Sequence, residues 1–282
     1  MSKVAILGTG LLGAGFADGF LSRGGTDLTV WNRTRSRAEP FAAKGVRVAA
    51  TAAEAVKGAD LVHLVLFDDA TVDETIAALR AGLDARTVII DHTTTLPVQT
   101  AERSRRLTKE GVSYLHAPVM MGPPAARTAT GMMLVSGSTA LFDRVKNDLK
   151  PMTGDLWYLG ERADLAAAFK LFGNAMGLII GGGLADIFHL ADALHVPRAD
   201  ALGLFSRFKV DGAIAVRGKK IVDEDYEATF TMETARKDAR LMLESGVGQP
   251  MPLLHAVAAR MDEIIAKGHG DLDWAAIAKK GA

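Results

Sequence analysis

The chain has no cysteine, which excludes disulfides, thiolate metal ligands and a cysteine nucleophile. It has no excess of either charge: 33 Lys and Arg balance 33 Asp and Glu. That balance speaks against nucleic acid or an anionic membrane surface as a partner. No segment reads as a signal peptide. The most apolar stretch, residues 176–185, is Gly-rich and bracketed by Lys170 and Asp186. It is too short for a membrane span and reads as part of a buried helix. Repeats, low-complexity segments and metal-ligand clusters are also missing, so the expectation is a cytoplasmic protein without a metal.

What is present starts at the N-terminus. The apolar run Val4-Ala5-Ile6-Leu7 leads into Gly8-Thr9-Gly10-Leu11-Leu12-Gly13, and a second run, Leu28-Thr29-Val30-Trp31, ends on Asn32-Arg33-Thr34-Arg35. Strand, glycine-rich turn, helix, strand is the first half of a dinucleotide-binding unit. Gly8 permits the tight turn, Gly10 leaves the pyrophosphate a path to the backbone, and Gly13 lets the helix approach the sheet. The helix start directs free N–H groups at the phosphates.

The end of the second strand bears on which dinucleotide. A site for NAD(H) usually places Asp or Glu there for the ribose 2′-hydroxyl. Here stand the neutral Asn32 and then Arg33, Thr34 and Arg35, with Arg37 beyond. Guanidinium groups pair with a 2′-phosphate, so NADP(H) is expected over NAD(H).

At 282 residues and 49% hydrophobic content, the chain suits one large or two ordinary domains. Strand-like runs at residues 4–7, 28–31, 61–67, 88–91, 113–116 and 132–136 alternate with helical patterns at 14–23, 36–44, 71–78 and 98–109. Such alternation predicts a mainly parallel, doubly wound α/β sheet. From about residue 162 the pattern becomes helical: 164–195, ended by Val196-Pro197, then 199–206, 231–245, 252–267 and 274–279. The expected organisation is a Rossmann domain over residues 1–162 and an all-α domain over 163–282, opened by a long interdomain helix. That helix carries Gly173, Gly177 and Gly181-Gly182-Gly183. Interior glycines cost about 1 kcal/mol each relative to alanine and need close packing in return, which suits a homodimer or homotetramer formed through the helical domain.

Four further stretches are informative: Asp91-His92-Thr93-Thr94-Thr95-Leu96-Pro97, His116-Ala117-Pro118-Val119-Met120-Met121-Gly122, Lys170-Leu171-Phe172-Gly173-Asn174, and Lys237-Asp238. In order and spacing, over nearly the whole chain, they resemble the β-hydroxyacid dehydrogenase family. That family includes 3-hydroxyisobutyrate dehydrogenase and the glyoxylate/succinic semialdehyde reductases, and is similar to 6-phosphogluconate dehydrogenase in its first domain.

The resemblance implies an NADP(H)-dependent oxidoreductase that moves hydride between nicotinamide and a small β-hydroxyacid, aldehyde or keto acid. The family's catalytic lysine falls on Lys170, whose neighbours Ala166 to Phe172 are mostly apolar. A desolvated lysine can hold or release the proton that accompanies hydride transfer. Asn174, at i+4, shares its helical face. The resemblance places Thr94 near nicotinamide and substrate, and Thr95 reads as the cap of the helix that follows. Leu66, Phe67 and Thr71 fall at cofactor positions, although Phe67 also reads as a buried strand-end aromatic, and Lys237 matches a lysine that closes on the cofactor. The substrate loop departs from the family: Ser-Gly-Gly, which binds a substrate carboxylate, is replaced by Met120-Met121-Gly122. Methionine donates no hydrogen bond. The alternative reading is an imine reductase or reductive aminase, although those generally lack the lysine; a non-catalytic nucleotide-binding protein is the third.

Overall fold

The structure is a computed structural model and describes residues 2–25, 27–208 and 210–281. It divides into two compact units, Met1–Ala175 and Met176–Ala282. The division falls inside a continuous helix, so Lys170 and Asn174 belong to the first unit.

In the first unit β1 (Val4–Leu7) leads to α1 (Leu11–Ser22), β2 (Leu28–Trp31), β3 (Arg47–Val48), α2 (Ala52–Val56), β4 (Leu61–Leu64) and α3 (Asp69–Leu79). There follow β5 (Val88–Asp91), α4 (Pro97–Lys109), β6 (Ser113–His116), β7 (Val119–Met120), α5 (Pro123–Thr128), β8 (Met132–Val135), α6 (Thr139–Leu149), β9 (Asp155–Tyr158) and the start of α7 (Leu165–Ala193). Strands β1 to β6 form one parallel sheet in the order β3-β2-β1-β4-β5-β6. The expected doubly wound α/β fold is therefore present. The central strands β1, β4 and β5 are buried at every residue, as strands covered by helices on both faces must be. Phe16, Ala17, Val145 and Leu149 fill the core on one face. Ala52, Val56, Val72, Ile76 and Leu79 fill it on the other.

The order reverses between β2-β1 and β4, and this places a crevice at the carboxyl ends of these strands. A smaller sheet, β7-β8-β9, extends the unit, joined to β6 by an antiparallel bridge between His116 and Ser136. Its strand β7 is only two residues long, β9, like β3, is short and mixed in polarity, and the period-two signal is too brief to announce them. Residues 36–44, expected as an α-helix, are two 3₁₀ segments, Arg35–Arg37 and Glu39–Lys44. Pro40 lacks the N–H that a continuous helix would use there.

In the second unit α7 continues and is followed by α8 (Arg198–Arg207), α9 (Val210–Val222), α10 (Met232–Ser245), α11 (Pro252–Ala266) and a 3₁₀ turn, Trp274–Ala278. The all-α character matches expectation. Met232, Ala235, Ala239, Ala258, Met261 and Ile264 form its core. Asp273, fully buried, ties the last turn to α9: its carboxylate accepts from Arg217 Nη1 at 2.6 Å, from the Thr229 N–H at 3.0 Å and hydroxyl at 2.9 Å, and from the Ala275 N–H at 3.0 Å. The stretch 176–185, expected to be buried, is not: Met176, Leu178, Ile179 and Ile180 are exposed. By length and composition alone α7 is apolar enough to cross a membrane.

Candidate active site

The glycine turn between β1 and α1 is built as a ligand cradle. Gly8 has φ +100°, a left-handed conformation that favours glycine, and a Cβ there would collide with the Val65 carbonyl. A Cβ on Gly13 would collide with the Gly8 carbonyl. At Gly10 the situation is opposite, since a Cβ would meet nothing within 4 Å. The backbone beside it is open to an incoming group. Gly10 caps α1 without a side chain, and no acidic residue occupies the first turn. The first-turn N–H groups are therefore left for an anion. The Thr9 hydroxyl is buried without a partner among the described residues.

This turn opens onto a cavity of about 460 Å³ lined in part by Gly8, Gly10, Asn32, Arg33, Thr34 and Arg37. Asn32 joins the two loops: its Oδ1 accepts from the Thr9 N–H at 3.0 Å, and its Nδ2 donates to the Thr34 carbonyl at 2.9 Å. Leu66, Phe67 and Thr71 stand in the far wall. Phe67 is 87% exposed, which overturns its reading as a buried strand-end aromatic. Asp68 caps α3 by accepting from the Thr71 N–H at 2.9 Å and hydroxyl at 2.6 Å. These bonds lower the Asp68 pKa from its ordinary value and fix the Thr71 rotamer.

Other expected cofactor residues lie apart from the cavity wall. Leu11 is exposed at the start of α1, and Leu12 packs on the core. Arg35 turns away to Glu39 at 3.2 Å, whereas Arg37, two residues on, lines the cavity. Lys237 belongs to α10 in the second unit, where its Nζ pairs with Asp238 at 2.7 Å. The sequence reading missed Trp31, Val65, Glu74, Thr75 and Ala78 in the wall. The signal for three of them was available: residues 71, 74, 75 and 78 fall on one face of a helix. Glu74 pairs with Arg33 at 3.9 Å, both side chains being well exposed.

Lys170 projects from α7 within the first unit. Its Nζ donates to the Val119 carbonyl at 2.8 Å, and no carboxylate lies within ion-pair distance among the described residues. Burial lowers its pKa from the ordinary 10.5. Asn174, one turn on, makes no side-chain hydrogen bond among the described residues, and neither does the exposed Thr94. Met120 follows the lysine's acceptor residue, and its side chain lies against Gly173, where a Cβ would collide with Met120 Cε. Met121 turns onto Gly131 instead. Gly122 is the cap of α5.

The segment carrying Thr94 is held by buried polar groups. Thr93 Oγ1 accepts from the Leu66 N–H at 3.1 Å, while the Thr93 N–H donates to Asp91 Oδ1 at 2.9 Å. Asp91 Oδ2 accepts from the Tyr114 hydroxyl at 2.7 Å, with His116 Nδ1 at 3.8 Å. Burial opposes ionisation of Asp91, but His116, the Thr93 N–H and Tyr114 outweigh it and hold the carboxyl below its ordinary range. His92 Nδ1 lies 2.6 Å from the Ala117 carbonyl and Nε2 lies 2.8 Å from His63 Nδ1. Burial pushes the His92 pKa down to about 4, so it serves as a neutral strut. Thr95 does not cap α4, as it was expected to. Leu96 holds that position, and Thr95 Oγ1 instead lies 2.7 Å from Thr100 Oγ1.

Comparison with known proteins agrees with this geometry. Residues 3–160 match the family model for the NAD binding domain of 6-phosphogluconate dehydrogenase. An uncharacterized oxidoreductase of Bacillus subtilis, YfjR, is 28% identical across 98% of this chain and 99% of its own length. The 3-sulfolactaldehyde reductase of Escherichia coli is 27% identical across 98% of this chain and 95% of its own. Among solved structures, a reductive aminase from Aspergillus terreus in complex with NADPH4, cyclohexanone and allyl amine is 26% identical, covers 98% of both chains and superposes with a TM-score of 0.86.

Proposed function

The chain belongs to the β-hydroxyacid dehydrogenase family, and on that premise we propose that it is an NADPH-dependent reductase of small carbonyl compounds, with Lys170 as the proton donor. The observation that carries this reading is the state of Lys170. It is partly desolvated, held at 2.8 Å by one backbone carbonyl, without a carboxylate in ion-pair distance among the described residues, and lies with Asn174 in the same compact unit as the glycine cradle. A half-buried ammonium so held can give its proton to a developing alkoxide, or remove one from an alcohol in the reverse direction.

The residues present fit a dinucleotide. Gly8, Gly10 and Gly13, with the first-turn N–H groups of α1, would hold the pyrophosphate; Leu66, Phe67 and Thr71 would face the ribose and ring; Thr94 would stand near the nicotinamide. When bound, the reduced nicotinamide supplies the hydride. Arg33, Thr34 and Arg37 would hold a 2′-phosphate, and Asn32 presents no carboxylate to repel it. The exposed Arg33–Glu74 pair is worth little and yields to a phosphate. Arg33→Ala with Arg37→Ala is expected to raise KM for NADPH about tenfold more than KM for NADH. Equal increases would remove the phosphate role.

The reductive-aminase reading is supported by the likeness to the Aspergillus terreus enzyme and by methionines where a hydroxyl and a glycine are usual. NADPH oxidation with aldehydes and keto acids, with and without an added amine, separates the two. Turnover without amine, lost in Lys170→Ala, supports carbonyl reduction, whereas turnover only with amine assigns imine reduction. The exposed Leu178, Ile179 and Ile180 on α7 suit burial against a second copy, so a dimer by light scattering is the expected assembly.

A further inference from the structure

We infer that the substrate of the Lys170 site bears no carboxylate beside its carbonyl and presents an uncharged, apolar body to the segment Met120–Pro124. This rests on the carbonyl-reductase reading and narrows its substrate class.

Three observations converge. The Met120 side chain is seated on Gly173, three residues along α7 from Lys170 and next to Asn174, so a thioether occupies the helix face that a substrate at Lys170 would share. No side chain in Met120-Met121-Gly122-Pro123-Pro124 can donate a hydrogen bond. The helix that starts here is also stripped of donors. Pro123 and Pro124 occupy the first positions of α5, so two N–H groups that would point out of that turn do not exist. The Ala126 N–H is taken by the Gly122 carbonyl at 3.0 Å, which leaves Ala125 alone in the first turn. Lys170 itself is required at the carbonyl oxygen. A carboxylate seated on this segment would lose its water and find no side-chain donor there to replace it.

The test compares pairs of equal shape with NADPH: isobutyraldehyde against glyoxylate, and 4-methylpentanal against succinic semialdehyde. The uncharged member is expected to have the higher kcat/KM by about tenfold or more. Met120→Ser and Pro124→Ala, which return a hydroxyl and an N–H, should each narrow that ratio several-fold, while the isosteric Met120→Leu keeps it. Preference for the carboxylates in the unaltered protein, or ratios that Met120→Ser and Pro124→Ala leave untouched, would overturn the inference. If no aldehyde is reduced, the carbonyl-reductase reading fails separately, and binding still decides: isobutyramide raising the melting temperature of the NADP⁺-loaded protein more than oxamate supports an uncharged ligand, and the reverse order overturns it.

Discussion

Replacing Lys170 by methionine separates chemistry from architecture. The substitution keeps an unbranched side chain of similar length and removes the ammonium. General acid catalysis by a positioned group is worth about 10²- to 10⁴-fold, or roughly 3–5 kcal/mol of barrier, and kcat should fall by that factor. Stability should move much less. The variant leaves the Val119 carbonyl without the donor now 2.8 Å away, at a cost of about 1–3 kcal/mol, but it also removes the desolvation of a half-buried charge, which opposes that loss. The pH dependence has a defined sign. Burial depresses the folded-state pKa below 10.5, so between the folded value and 10.5 the unfolded chain holds the proton more tightly. Stability of the wild type therefore rises with pH through that window, and the variant lacks this rise. Reduction needs the protonated lysine, so wild-type kcat falls as pH climbs through the folded pKa; residual turnover of the variant shows no such limb. Single-turnover NADPH oxidation and thermal melts across pH measure both. Undiminished kcat in Lys170→Met, or an unchanged alkaline limb, would refute the proton-donor role.

Two glycines should answer oppositely to the same methyl group. Gly10→Ala, whose Cβ would meet nothing within 4 Å, should leave the melting temperature unchanged and weaken cofactor binding at least about tenfold by blocking the backbone approach; unchanged affinity by fluorescence titration would show that no phosphate lies there. Gly13→Ala should destabilise by about 1–3 kcal/mol through overpacking against the Gly8 carbonyl, read by urea denaturation. In the second unit, Asp273→Ala would strand Arg217 and several N–H donors, at about 3–5 kcal/mol. Although burial opposes ionisation of Asp273, its hydrogen bonds and Arg217 depress the pKa below the ordinary 3.8. The stability this gives is present above that value and lost as pH falls through the folded pKa, so acid unfolding of the wild type should lose this component and that of Asp273→Ala should not.

The sheet and the glycine cradle were legible because their signals are local and cooperative. Residues 4–7, 28–31, 88–91 and 113–116 are strands at the expected bounds; the first is an uninterrupted apolar run, as a strand buried on both faces is written, and the others are short runs in which apolar residues predominate or alternate. Strands of two to four mixed residues, such as β3 and β9, carry no such run. The α7 stretch at 176–185 shows the opposite failure. Its composition says that it must be buried but not by what, and in this chain Leu178, Ile179 and Ile180 are exposed. Hydrophobicity is a demand for cover that a second chain can meet as well as the chain itself. At the end of β2, Arg35 pairs with Glu39 and Arg37 stands in the cavity wall, a difference between neighbouring side chains that residue type alone does not encode.

The substrate side was legible only as a departure, and the structure gives the departure a direction. Methionine in place of serine could mean an enlarged pocket, a blocked one or a reoriented loop. What decides is that Met120 is matched by Gly173, the one residue between Lys170 and Asn174 on α7 whose missing Cβ leaves room for a thioether. Met121 is matched by Gly131, and Pro123-Pro124 withdraw the N–H groups that follow. Side chain, partner notch and helix start all change in the same sense, toward fewer donors. Such agreement between neighbouring levels of structure is what distinguishes a built surface from a tolerated substitution. On this argument Gly173→Ala should act as a displacement of Met120 and not as a helix stabiliser. The methyl group favours the helix by up to about 1 kcal/mol but forces the thioether toward Lys170. A fall in kcat/KM for uncharged aldehydes, without a fall in melting temperature, is expected in steady-state assays and melts. Unchanged kinetics would mean that Met120 lies outside the path of the substrate.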